Sequence, residues 1–188
     1  MINSREAMEY LAGRLRDELV VASLGNAKYE LFAARDRPEH FYLWNSMGMA
    51  ASLGLGLATA RPERRVIVVD GDGALLMNLN ALPTEGWRAP RNLVHIVFDN
   101  RAHHLTGRQP TATSARADLA RIAEGAGFPH TDRVETLAAF RSAVDRALVE
   151  EGPSFVQALV EQQPRSGRPP KSPTLLTHRF MAALGAKA

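Results

Sequence analysis

The chain has 188 residues, 45% of them hydrophobic, and a formal charge of +3. That length and composition suit one domain with a full core and fall short of two ordinary ones. It has no cysteine, which excludes a disulfide framework, a thiolate nucleophile and a Cys-ligated metal.

The first eighteen residues are charged throughout and hold no apolar run, so a cytoplasmic protein without a secretory leader is expected. No stretch approaches the ~18 apolar residues that span a bilayer. Residues 3–18 read as an amphipathic helix with Met8, Leu11, Leu15 and Leu19 on one face. A short strand is expected over 19–23, a turn at Gly25-Asn26 and a helix over 27–35. "FYLWN" at 41–45 is strand-like, and 46–60 reads as a helix. Its "LGLGLATA" looks like a dinucleotide loop but falls inside the helix, so its glycines are expected to serve packing. A buried strand covers 65–70, and a helix broken or kinked by Pro83 covers 75–88. A second buried strand covers 93–98, with His95 expected as a core residue, like His40, Trp44 and Trp87. Helices at 115–126 and 134–150 precede a last strand at 154–160. The Pro/Gly-rich stretch 164–173 is linker-like and leads to a helix at 174–184. Arg165, Arg168 and Lys171 lie in or near it with no interleaved aromatic. They read as a solvated surface, and no nucleic-acid or membrane partner is expected.

Strands alternating with helices define a single α/β domain over 1–188, three layers deep, with a mostly parallel sheet. Ligands of such sheets sit outside the carboxyl ends of the strands. At one of those ends the run "VIVV" drives into Asp70-Gly71-Asp72-Gly73. Carboxylates that close repel, so a positive partner is expected. The 25 residues between Gly73 and Asp99 make one helix and one strand, a right-handed crossover that brings both tips to the same edge. Asp72 then offers a carboxylate oxygen, Asn100 an amide oxygen, and the backbone at Ala102 a carbonyl. Such oxygen ligands suit Mg²⁺ with phosphate oxygens. The helix beginning at Ala74 favours a phosphate at its N-terminus. The combination describes a diphosphate-plus-Mg²⁺ site.

Gly71-Asp72-Gly73, that gap and Asp99-Asn100 resemble the thiamine diphosphate signature, with Asp99 where the first Asn of a pair usually falls. "WNSMG", 44–48, is similar to the loop that holds the aminopyrimidine in such enzymes. By that resemblance Met47 is the apolar wedge under the cofactor, the Asn45 carbonyl receives its amino group, and Ser46 belongs to the same contact. Over about 19–158 the chain most resembles phosphonopyruvate and sulfopyruvate decarboxylases. Its text "RDRPEHFYLWNSMGMAASLGLGLA", "DGDGALLMNLNAL" and "DNRAHHLTGRQPT" carries the likeness.

The resemblance implies a diphosphate-binding subunit whose partner, a pyrimidine-binding α subunit, supplies the Glu that activates the cofactor. A hetero-oligomer acting on a small 2-oxo acid is expected. His103, His104 and Thr106 follow the metal loop as candidate catalytic groups. Arg101, Arg108 and Gln109 are candidates for a substrate's second anion. The rivals are another thiamine diphosphate enzyme of the acetolactate synthase kind and a non-catalytic cofactor-binding subunit.

Overall fold

A computed structural model describes residues 1–164 and 166–185. Arg165 and residues 186–188, the end of the expected 1–188 unit, lie outside the described residues. Arg168 and Lys171 are exposed.

The chain opens with β1 (Ile2–Asn3) and α1 (Ser4–Arg14). Asn3 accepts from the Arg5 and Glu6 N–H groups, donors that a first helical turn leaves free. The expected helix over 3–18 therefore starts one residue later, and it ends at Arg14, where Leu15 turns extended. Next come β2 (Leu19–Ala22), α2 (Asn26–Ala34), β3 (His40–Tyr42) and α3 (Ala50–Ala60). Strand β3 stops short of Trp44, and α3 starts four residues later than expected. Between them Asn45 (φ 51°) and Gly48 (φ 82°) take left-handed backbone that neither a strand nor a helix continues.

Strand β4 (Val66–Gly71) runs directly into α4 (Asp72–Met77), and α5 (Ala81–Arg88) follows. The helix break thus falls at 78–80 and not at Pro83. Pro83 occupies the first turn of α5, where its missing N–H is one the helix would leave unpaired anyway. Strand β5 (Leu93–Asp99) leads to a small antiparallel hairpin, β6 (Ala102–His103) and β7 (Gln109–Pro110). The helix expected over 115–126 is shortened to α6 (Leu119–Gly125), capped by Asp118 on the Arg121 N–H, and a 3₁₀ turn (Ala112–Ser114) precedes it. β8 (His130–Val134) was not expected and delays α7 (Leu137–Ala147), which Thr136 caps. β9 (Ser154–Glu161) and α8 (Pro173–Ala183) complete the order.

The large sheet runs β1-β9-β5-β4-β2-β3, with β8 also on β9, and every pairing in it is parallel. Strands of such a sheet are buried on both faces, which is why β4 and β5 are near-continuous apolar runs. Alternation assigns the faces. Val20, Ile67, Val69, Ile96 and Val156 pack with side chains of α1, α2 and α7. Leu19, Val21, Val66, Val68 and Leu93 pack with α3 and α8, while Val97 and Phe155 pack with α4 and α6. This is the expected three-layer α/β/α arrangement.

Gly54 of α3 lies on β4: a Cβ there would stand 2.1 Å from Val68 Cγ2, whereas one at Gly56 meets nothing within 4 Å. We expect Gly54→Ala to lower the denaturation midpoint through overpacking, by about 1–3 kcal/mol before the gain in helix propensity. Gly56→Ala is expected to raise it by roughly 0.5–1 kcal/mol. Equal midpoints for the two variants would contradict the packing role. His40 and His95 are fully buried, as expected, and Trp44 is half-buried, but Trp87 is 78% exposed rather than core.

Candidate functional site

The pairing of Gly71 with Phe98 and of Ala22 with Val69 places the ends of β2, β4 and β5 side by side at one sheet edge. A cleft of about 450 Å³ opens there. Of the residues expected at a site, Met47, Gly71, Asp72, Gly73, Ala74, Asn100, Ala102, His103, His104 and Thr106 line it. Asn45, Ser46, Arg101, Arg108 and Gln109 do not.

Asp72 is 2% exposed. One of its oxygens, Oδ2, accepts from Thr111 Oγ1 at 2.5 Å and from Thr113 Oγ1 at 3.3 Å. Burial pushes its carboxyl up to about 6; the Thr111 hydroxyl pulls the other way and Asp99 adds to the rise. Asp99 is fully buried and turned away from the cleft. Its Oδ1 takes Thr113 Oγ1 at 2.8 Å and the Arg101 N–H at 2.9 Å, and its Oδ2 takes Gln157 Nε2 at 2.8 Å. Asp99 therefore braces the loop, and the two threonines span both acids. Asn100 Oδ1 accepts the Ala102 N–H at 3.0 Å, and its Nδ2 donates to Gln162 Oε1 at 3.2 Å.

The hairpin carries the two neighbouring histidines to the wall. A Cβ on Gly73 would lie 2.5 Å from His103 Nδ1, so only glycine admits the imidazole this close. Thr106 Oγ1 donates to the His103 carbonyl (3.3 Å) and to Gln109 Oε1 (3.1 Å). Arg108 and Gln109 are exposed. Arg101 lines a separate polar pocket of about 200 Å³ with Thr113, Arg133 and Gln157. The 43–49 loop is held from two sides. Lys28, buried, donates to the Leu43 carbonyl at 3.0 Å and lies 3.7 Å over the Trp44 ring. Asn78 Nδ2 donates to the Gly48 carbonyl at 2.8 Å. Met47 sits on the cleft wall, while Asn45 points to solvent and Ser46 Oγ donates to the Trp44 carbonyl.

Sequence reasoning missed Leu24 to Ala27, Glu30 and Gln162, which also line the cleft. Gly25-Asn26 carried a turn signal only. In the fold it starts α2 without a side-chain cap and without an acid in the first turn, which leaves backbone N–H groups for an anion. Glu30 and Gln162 gave no signal: their partners are remote in the chain.

Asp72, Asn100 and Ala102 line one cleft, and a carboxylate, a carboxamide oxygen and a backbone carbonyl drawn from them would make a hard oxygen set of the kind Mg²⁺ takes. Among the described residues no three His, Cys, Asp or Glu side chains gather as a metal group. A Cβ on Gly71 would meet nothing within 4 Å, so the cleft floor is open beside Asp72. The donor set, the open floor and the uncapped start of α2 fit a diphosphate held through Mg²⁺.

The sheet, its flanking helices and the cleft at the strand ends form the α/β thiamine diphosphate-binding fold. The Rhodococcus jostii RHA1 thiamine diphosphate-dependent 4-hydroxybenzoylformate decarboxylase superposes with a TM-score of 0.71 at 18% identity, over 86% of this chain and 33% of that one. Residues 24–158 match the family of the thiamine pyrophosphate enzyme, C-terminal TPP binding domain, and the chain belongs to that family. It is 43% identical over 161 residues to the sulfopyruvate decarboxylase subunit beta of Methanothermobacter thermautotrophicus, covering 86% of this chain and 83% of that one. It is 41% identical over 181 residues to the phosphonopyruvate decarboxylase of Streptomyces viridochromogenes, of which it spans 45%.

Proposed function

We propose that this chain is the diphosphate-binding subunit of a two-subunit, cytoplasmic decarboxylase dependent on thiamine diphosphate and Mg²⁺. Its substrate is a 2-oxo acid with a second anionic group, sulfopyruvate or phosphonopyruvate, and its products are an aldehyde and CO₂. The observation that carries the reading is the presence of Asp72, Asn100 and Ala102 on one cleft with the uncapped start of α2. The names of the relatives support the substrate class.

When bound, thiamine diphosphate supplies an electron sink for the carbon that loses CO₂. Asp72, Asn100 and the Ala102 carbonyl hold the Mg²⁺. Gly71, Gly73, Ala74 and the first turn of α2 cradle the diphosphate through backbone N–H groups. Met47, on the cleft wall, would support the cofactor, and the Asn45 carbonyl and Ser46, which stand off that wall, would take its amino end. His103 and His104, on the cleft wall, would hold or pass a proton, with Thr106 tying the hairpin in place. Arg108 and Gln109, exposed outside the cleft wall, would meet the second anion only from the rim, and Arg101, a candidate for the same anion, lies in its own pocket beside Thr113 and Gln157. The acids on the cleft wall are Asp72 and Glu30, and Glu30 is engaged by Ser4 and Gln162. This supports a partner subunit as the source of the activating Glu.

The test is CO₂ release by the chain purified with its partner, on sulfopyruvate, phosphonopyruvate and pyruvate. A dianionic substrate is expected to exceed pyruvate by at least about tenfold in kcat/KM, the worth of about 1.4 kcal/mol of charge pairing. Condensation of two pyruvates would favour the acetolactate synthase kind. Mg²⁺-dependent cofactor binding without turnover of any 2-oxo acid would leave a non-catalytic subunit.

A further inference from the structure

Asn100 is useful to a cation only if its oxygen, and not its NH₂, faces the cleft. A carboxamide carries acceptor and donor at opposite corners, so whatever binds one corner orients the other. Gln162, just past the end of β9, takes the Asn100 Nδ2 at its own Oε1 (3.2 Å). That requires the Gln162 NH₂ to point away, and it does: Nε2 donates to Glu30 Oε1 at 2.7 Å and to the Gln163 carbonyl at 3.1 Å. Glu30 is 3% exposed on α2, and the same oxygen also accepts Ser4 Oγ at 2.7 Å. That oxygen takes two donors and so acts as an acceptor here. It therefore selects the NH₂ corner of Gln162, which selects the NH₂ corner of Asn100, which leaves Oδ1 on the side of Ala102, whose N–H it accepts at 3.0 Å.

We propose that Glu30 and Gln162 are positioning residues, a two-link relay that sets the Asn100 oxygen toward the cation. The inference rests on the metal reading above and adds a device to it. With Asn100 reversed, its NH₂ would meet the Ala102 N–H and the cation, and its oxygen would meet Gln162 Oε1. Both contacts repel. Ligand-orienting partners of this kind typically change metal affinity 10–100-fold when removed.

The relay predicts a swap. Glu30→Gln removes the acceptor-only group and is expected to weaken Mg²⁺ by about 10–100-fold at saturating thiamine diphosphate, read by calorimetry. The double variant Glu30→Gln/Gln162→Glu restores an acceptor-only neighbour for Asn100 and is expected to return within about threefold of wild type. The second readout needs no metal. In the metal-free full chain, NMR hydrogen exchange of the Asn100 side-chain amide is expected to be slow in wild type and double variant. It is expected to be fast in Glu30→Gln and in Gln162→Leu, which stands in if Glu30→Gln does not fold. Unchanged Mg²⁺ affinity and unchanged amide exchange in the single variants would overturn the relay. So would a double variant no better than Glu30→Gln. No Mg²⁺-dependent binding by a wild type whose amide pattern is as expected would instead strike the metal reading, and the relay's purpose with it.

Discussion

Asp72→Ala is expected to abolish Mg²⁺-dependent retention of thiamine diphosphate and to leave the metal-free fold standing. Asp72 is the charged member of the proposed ligand set; Asn100 and Ala102 offer neutral oxygens. Losing it should cost at least about 100-fold in affinity, the upper end of what even indirect partners cost. The metal-free chain has little to lose, because burial already disfavours the Asp72 charge and Asp99 disfavours it further. Thr111 and Thr113 keep each other at 2.9 Å, and Thr113 keeps Asp99. The thermal midpoint without metal is therefore expected to stay level or rise, while calorimetry with Mg²⁺ shows no cofactor uptake. Wild-type uptake by the variant would remove Asp72 from the metal site.

The second large effect lies beneath the cleft and concerns stability. Asp70 and His95 face the same side of the sheet, and Glu85 of α5 covers them. His95 Nδ1 lies 3.0 Å from Glu85 Oε2, and His95 Nε2 lies 3.8 Å from Asp70 Oδ2, all fully buried. Burial opposes charge on His95, yet Glu85 and Asp70 together hold its pKa up, to about 9. His95→Gln would leave two buried carboxylates without a cation, a loss of about 3–5 kcal/mol. The unfolded imidazole titrates near 6.5, so the His95 contribution is whole below about pH 6.5 and fades as pH rises through 9. Its size is on the order of 3 kcal/mol. His40 acts in the opposite sense. Burial, helped by Arg37, drops it to about 3, so the unfolded chain takes up a proton first and the fold weakens as pH falls from about 6.5 toward 3. Denaturant midpoints at pH 6 and pH 9.5 check this: the gap between wild type and His95→Gln should narrow at the higher pH. A gap that is constant across both would show that His95 is neutral in the fold.

The parts of the molecule legible in its sequence are those where one local pattern does one job. Strands β4 and β5 are buried on both faces and so read as near-continuous apolar runs. Gly71 to Gly73 and Asp99-Asn100 stand at a gap that only a crossover fills, so their meeting at one edge was readable. β8 was not, because its residues, His130 to Val134, are mostly polar and carry no strand alternation. The break between α4 and α5 was misplaced because Pro83 falls in the first turn of α5, where it interrupts nothing, while Asn78 at the break is bound to the Gly48 carbonyl across 30 positions. Glu30 and Gln162 lie 132 positions apart, and a Glu on a short helix reads as a solvent-facing residue. The pair becomes visible only once α2 is laid beside the end of β9.

The central claim is that Asp72, Asn100 and Ala102 hold thiamine diphosphate through Mg²⁺. The most direct test is calorimetric titration of thiamine diphosphate with and without Mg²⁺, on the chain alone and on the chain purified with its partner subunit. The account predicts saturable binding that requires Mg²⁺ and tightens with the proposed partner. Mg²⁺-independent binding, or none in either sample, would contradict it and return both strand tips to ordinary turns.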